Sequence, residues 1–284
     1  IQWTPTIKSQ PYYSSFDTII GHNLAKQACA ISIAGAHPLL LIGSPGIGKT
    51  LLIDHMKTLQ PSLNNSEAIE NCCIDSLING NYSYHSEPPF QSPHHTTSYA
   101  GMIGGQNPPK PGEITRANHG ILFLDELGEY QRTILDTLRE PLETQKINIS
   151  RAGNSIEYPA NFLLVAAMNP CYCGHYFNQE RQCTCNRTKI NMYWQRISKP
   201  LLDRFPICLI LSKPTAEKPI IGQRTLVNMI ETATKIAKKR NPNGCRNQCL
   251  PGTTIMDIAN FDDKSLQMID QFCNQHKLSL RAKT

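Results

Sequence analysis

No stretch of this 284-residue chain holds about 18 consecutive apolar residues, the length needed to cross a bilayer as a helix, so no membrane span is expected. The N-terminal stretch also lacks the pattern of a secretory signal. Residue 1 is isoleucine rather than a start methionine, and the sequence reads as a fragment. A large surplus of either charge is lacking: 28 Lys+Arg against 22 Asp+Glu leave a formal +6. That balance permits a polyanionic partner such as DNA without requiring one. The 11 cysteines do not sit in a short secreted chain, so they do not imply a disulfide scaffold. Beside a nucleotide-binding loop they point to a reducing, cytoplasmic setting. The length suffices for one large domain and a smaller one.

What is present centres on residues 39–50, LLLIGSPGIGKT. The apolar run 39–42 has the composition of a buried parallel strand, and Gly43, Ser44, Pro45, Gly46, Ile47, Gly48, Lys49 and Thr50 match G-x-x-x-x-G-K-[ST]. The glycines permit backbone angles that bring successive N–H groups around a polyphosphate, here ATP. Lys49 would reach the terminal phosphates and the Thr50 hydroxyl would hold magnesium, at a helix N-terminus suited to anions. Leu52, Met56 and Leu59 fall at helical spacing, and Pro61 marks the helix end. A chance glycine-rich turn is the plain alternative, disfavoured by the strand before and the helix expected after.

A second apolar run, 121–124, ends in Asp125-Glu126. Two carboxylates leaving a buried strand are costly unless a cation awaits them. Asp125 is expected to bind magnesium and Glu126 to polarise the water that attacks the terminal phosphate; acids decorating a helix start are the alternative. Residues 162–166 form the next buried strand, and Asn169 after it is placed to orient the water or touch the phosphate, or else is only a turn former. Residues 22–34 read as a helix carrying Leu24, Ala28 and Ile31 on one side and packing near the nucleotide base. Ile134, Leu135, Leu138 and Leu142 make another apolar stripe.

Residues 80–112 hold six prolines and five glycines and read as a long insertion that contacts substrate or serves as spacer. Its His94-His95 pair could bind a metal or contact a strand of nucleic acid, although in extended chain the two side chains would point to opposite sides. Residues 145–159 carry a hairpin signal with Arg151 near the tip, suited to a phosphate backbone or simply solvated. Cys171, Cys173, Cys183 and Cys185 form two C-x-C pairs nine residues apart in a polar loop, the ligand count of a structural zinc, although tighter than C-x-x-C. Free thiols are the alternative, and Cys245 and Cys249 stay unassigned. Arg204 precedes a fifth apolar strand at 207–211. Two helices follow, with Val227, Ile230, Ala233 and Ala237 on one face and Leu266, Ile269 and Phe272 on another; Lys238–Arg240 read as a solvated face.

In combination GSPGIGKT, PHHTTS, GEITRANHGILFLDEL, ISRAG, AAMNPCYCG and PLLDRF resemble the AAA+ ATPases of the magnesium-chelatase-like group, in its competence-associated ComM subgroup, from about Phe16 to Arg281. The resemblance implies an α/β fold: a three-layer core with a central parallel sheet over residues 16–213, a linker at 1–15 and a helical lid, cut short, at 214–284. It implies a hexameric ring motor on DNA, promoting branch migration during uptake of foreign DNA. Lys49 and Thr50 then match Walker A, Asp125 and Glu126 Walker B, Asn169 sensor 1 and Arg281 sensor 2. Arg204 matches the arginine inserted into the neighbouring subunit's site, with Asp203 or Asp125 of its own subunit as the alternative partner. Arg151 falls at a DNA-contacting hairpin. Three departures stand out: a further N-terminal domain of the family is absent, the lid ends soon after Arg281, and Pro206 replaces a usual aspartate. A magnesium-chelatase subunit and a nucleotide-binding fragment without turnover are the rival expectations.

Overall fold

The computed structural model describes residues 15–80, 82–105, 109–151, 154–178, 180–213, 221–240 and 262–276. Its centre is a five-stranded parallel sheet, formed by β1 (Leu39–Gly43), β2 (Phe90–Gln91), β5 (Ile121–Leu124), β8 (Leu163–Met168) and β9 (Ile207–Leu211), in the order β2-β5-β8-β1-β9. Two short ribbons stand apart from it: β3 (Gly104–Gly105) with β4 (Lys110–Pro111), and β6 (Lys146–Arg151) with β7 (Asn154–Pro159).

Side chains alternate across a strand, so a strand buried on both faces must be apolar throughout. The three central strands obey this. Leu40, Ile42, Leu122, Leu124, Leu164 and Ala166 join one core cluster with Ile134, Leu138, Ile147 and Phe205. Leu39, Leu41, Ile121, Phe123, Val165 and Ala167 join another with the helices α1 (Asn23–Gly35) and α2 (Lys49–Met56). The result is the three-layer α/β arrangement expected from the apolar runs. In α2 Leu52 and Met56 are fully buried, and Leu59 follows in a 3-10 turn before Pro61.

Three local readings change. The buried stripe of α1 is Ala25, Ala28, Cys29, Ser32 and Ile33, while Leu24 and Ile31 are 65% and 52% exposed. The cause is Lys26, fully buried, whose Nζ donates to the carbonyls of Phe16, Ile19 and Ile221 and so turns its own face inward. Residues 65–79 form a helix that the apolar spacing did not reveal, α3 (Asn65–Asn79), opened by a reciprocal box between Asn64 and Glu67. The long insertion is not a featureless loop: it supplies β2, which pairs in parallel with β5 and sets Phe90 against Phe123, then a short helix, Tyr99–Ile103, and the β3–β4 ribbon.

The expected hairpin is present as β6–β7, although its turn at 152–153 lies outside the described residues. The stripe at 134–142 is split over two short helices, Arg132–Asp136 and Arg139–Thr144, with Ile134, Leu135 and Leu138 buried. The helix Gln223–Arg240 packs on α1 through Leu226 and Ile230. Its first residue is tied down: Gln223 Nε2 donates to Thr58, its Oε1 accepts from Phe16 N, and its N donates to Asp17. No helix among the described residues is long and apolar enough to cross a membrane.

Candidate active site

All five sheet strands run the same way, so their C-terminal ends share one edge, where open α/β sheets gather ligands. Ile42 pairs with Met168 and Leu124 with Ala166, which brings the residues after β1, β5 and β8 together. The loop after β1 contains left-handed backbone at Gly46 (φ 76°) and Gly48 (φ 100°), conformations that disfavour a side chain. Gly48 is the N-cap of α2, so Lys49 and Thr50 open that helix.

Lys49 is 8% exposed, and its Nζ donates to the carbonyls of Gly43 (2.6 Å) and Ser44 (3.1 Å) and to Asn169 Oδ1 (3.1 Å). Burial holds its ammonium below the ordinary range, with Asp125 and Glu126 pulling the other way. Thr50 Oγ1 donates to Asp125 Oδ2 at 3.0 Å, and Asp125 Oδ1 accepts from Glu126 N at 2.9 Å. An alcohol and a carboxylate so disposed offer only oxygen donors, the set that suits a hard cation such as magnesium. Glu126 itself has φ 52°, uncommon backbone for a non-glycine residue, so the chain turns sharply at the residue that bears this carboxylate.

That carboxylate meets a residue the sequence reading had set aside. His95 Nδ1 lies 3.4 Å from Glu126 Oε2. The pair His94-His95 does not splay apart as expected for extended chain: a turn closed by Thr97 N donating to His94 O stacks the two rings with centroids 4.1 Å apart. The turn is anchored by Tyr130, buried, whose hydroxyl donates to Pro93 O at 2.5 Å and whose ring meets His95 edge-on. Desolvation raises the Tyr130 phenol, with Asp125 and Glu126 adding to it. The findable signal was topological: once β2 is placed beside β5, the residues after β2 must face those after β5.

Arg204 does not belong to this cluster. β9 begins at Ile207, opposite Leu39 at the start of β1, so Arg204 lies at the other edge of the sheet, roughly 16 Å of strand from the glycine-rich loop after β1. Its guanidinium, largely buried, pairs with Glu143 rather than with Asp203 or Asp125. Arg151 is the last residue of β6. Arg281, Cys245 and Cys249 lie outside the described residues.

Cys171, Cys173, Cys183 and Cys185 converge, their sulfurs all within 4.8 Å of one another. All four are free thiols. Desolvation opposes ionisation of Cys173, but hydrogen bonds from the His175 and Thr184 backbone and from the Cys171 and Cys183 thiols outweigh it and bring it well below the ordinary thiol range. A thiolate is the metal-binding form; Cys183 and Cys185, each favoured toward ionisation by one backbone hydrogen bond, are held above the ordinary range by burial and by the Cys173 and Cys171 sulfurs.

The family described as magnesium chelatase, subunit ChlI, matches residues 15–218. Competence protein ComM of Haemophilus influenzae is 39% identical over 280 residues, 93% of this chain and 53% of that protein. Uncharacterized protein YifB of Escherichia coli is 45% identical over 218 residues, 76% of this chain and 42% of its own length. A magnesium-chelatase 38 kDa subunit of Cereibacter sphaeroides is 25% identical over 177 residues, 55% of this chain and 52% of that subunit. The chain thus spans about half the length of the curated relatives it matches.

Proposed function

Since the chain belongs to the magnesium chelatase, subunit ChlI, family, we propose that it is the ATP-hydrolysing motor domain of a ring-forming, hexameric machine that acts on DNA in the cytoplasm. The observation that carries the ATPase reading is the convergence of Lys49, Thr50, Asp125, Glu126 and Asn169 at one sheet edge. Loop backbone N–H groups and Lys49 bind the phosphates. Thr50 and Asp125 would hold a magnesium ion, which when bound offsets phosphate charge and orients the terminal group. Glu126 accepts the proton of the attacking water, and His95 positions its carboxylate. Asn169 accepts from Lys49 Nζ through its Oδ1, and its amide nitrogen would contact the terminal phosphate.

Because Arg204 cannot reach the phosphate loop of its own chain, it serves the site of a neighbouring copy, where a second cation stabilises charge spreading onto the equatorial oxygens. Glu143 holds it until that copy docks. Arg281 would complete the site from the lid. The four cysteines hold a structural zinc.

The DNA reading has support from the 39% identity to a competence protein against 25% for the chelatase subunit, from the +6 charge, and from the β6–β7 hairpin that carries Arg151. The family description favours a second reading, a motor for metal insertion into a porphyrin. Hydrolysis measured with single-stranded, branched or no DNA separates the two. Stimulation severalfold by DNA supports the first, and a rate indifferent to every DNA tested refutes it.

A further inference from the structure

The cysteine loop does more than sit near the nucleotide site. It starts two residues after Asn169, whose side chain receives Lys49, and it returns to touch the phosphate loop twice. Asn178 Nδ2 donates to Ser44 Oγ at 3.2 Å, with Ser44 buried. Gly174, in left-handed backbone at φ 78°, packs so tightly that a Cβ there would lie 2.5 Å from Pro45 Cδ and 2.9 Å from Cγ. A third tie, Lys213 to Glu180 at 2.6 Å, links the loop to the chain just after β9.

Ser44 and Pro45 form the first corner of a loop whose glycines give it many alternative shapes, so contacts from outside must select the phosphate-binding one. Residues 171–185 have little core of their own with which to do this. Cys171 and Gly174 are buried, whereas Tyr172, Tyr176 and Phe177 are exposed. What closes the loop on itself is the thiol cluster. Three of its sulfurs stand 3.4, 3.5 and 3.7 Å apart. A tetrahedral zinc with Zn–S bonds of about 2.3 Å requires ligand sulfurs about 3.8 Å apart, so these three thiols need move only a few tenths of an ångström, and that of Cys185, within 4.8 Å of the others, no more than about 1 Å, to take the ion.

We propose that a divalent soft cation, zinc by ligand type, bound by Cys171, Cys173, Cys183 and Cys185 turns residues 171–185 into a strut that holds Ser44 and Pro45 in place, so that metal occupancy sets the affinity of the phosphate loop for nucleotide. The nucleotide half of this statement rests on the proposed ATPase function; the mechanical half does not. With the metal bound, Asn178 and Gly174 are fixed at both ends of a closed loop. Without it the loop opens, Ser44 Oγ loses its partner, and the glycine-rich turn samples non-binding shapes. Loss of one such hydrogen bond together with its packing contact corresponds on the order of tenfold in affinity.

The experiment compares the chain as purified with chain stripped by a thiol-competing zinc chelator and freed of it, and with stripped chain given zinc chloride alone. Three readouts are taken: metal content, affinity for a fluorescent ATP analogue, and hydrogen–deuterium exchange of residues 43–48 against that of β5 and β8. We expect one zinc per chain, faster exchange in residues 43–48 but not in the strands on stripping, about tenfold weaker nucleotide binding, and recovery with zinc. Asn178→Ala should keep the metal yet loosen residues 43–48, separating the strut from general unfolding. Cys183→Ser/Cys185→Ser should resemble stripped protein and ignore added zinc. Unchanged exchange at residues 43–48 after complete stripping overturns the proposal, as does failure of the reduced chain to take up zinc. If stripping speeds that exchange while no state of the protein binds nucleotide, the strut stands and the ATPase reading fails.

Discussion

Tyr130→Phe isolates one atom on which the proposed catalytic edge of the sheet depends. The hydroxyl donates to Pro93 O at 2.5 Å in a buried setting, and the ring flanks His95. Phenylalanine keeps the ring and its edge contact but leaves a buried carbonyl without its donor. Such an unsatisfied acceptor costs about 1–3 kcal/mol, and for a chain of this size each kcal/mol lowers the melting temperature by roughly 2–4 °C. The second consequence is local. Pro93 is the residue before the turn that presents His95 to Glu126, so freeing it lets the imidazole drift, and misplacement near 1 Å costs up to about a hundredfold in rate. Calorimetry and steady-state hydrolysis on one preparation read both effects. Melting should fall by a few degrees, and kcat should drop at least tenfold with nucleotide affinity unchanged. A variant that melts and turns over like the parent would refute the claim that Tyr130 anchors this turn. Loss of nucleotide binding instead would mean that the phosphate loop, not Glu126, had moved.

Further outcomes follow from the same contacts. Lys49→Ala should lose nucleotide binding and Arg204→Ala should keep it; mixing the two inactive proteins should restore part of the activity if Arg204 acts across an interface, and activity no greater than the sum of the parts would exclude that role. Desolvation lowers the His37 imidazole below its ordinary value near 6.5, so below that pH the unfolded chain binds the extra proton first and stability falls as pH drops. His37→Gln should flatten the loss measured by denaturant unfolding between pH 7.5 and 5.5, and an unchanged slope would contradict the assignment. Gly174→Ala combines left-handed strain with the Pro45 clash, costing about 1–3 kcal/mol; its nucleotide affinity should fall while β5 and β8 stay protected from exchange, and parent-like affinity would count against the contact.

The parts of this site that were legible in the sequence are those where backbone chemistry leaves few choices. Gly46 and Gly48 occupy positive φ, and the apolar runs beginning at 39, 121 and 162 are too short for helices and end at turn-forming or charged residues, which reads as buried strands, so Lys49, Asp125 and Asn169 could be placed at strand ends by counting. The cysteine cluster was equally readable from ligand number. His95 was not, because its position depends on a two-residue edge strand, β2, too short to show periodicity. The buried face of α1 was misjudged because Lys26, whose ammonium three carbonyls accept inside the protein, adds nothing to the apolar spacing that was read. The Arg204–Glu143 pair joins residues about sixty positions apart, beyond any local pattern.

The central claim is that this sheet edge hydrolyses ATP with Glu126 as the base and Asp125 with Thr50 as the metal holder. Glu126→Gln keeps the size and the neighbouring oxygen donors while removing the proton acceptor. Nucleotide affinity and single-turnover hydrolysis measured on that variant and the parent decide it. The account predicts ATP bound as tightly as in the parent with hydrolysis reduced by at least a hundredfold. Turnover at the parental rate by the glutamine variant would contradict it.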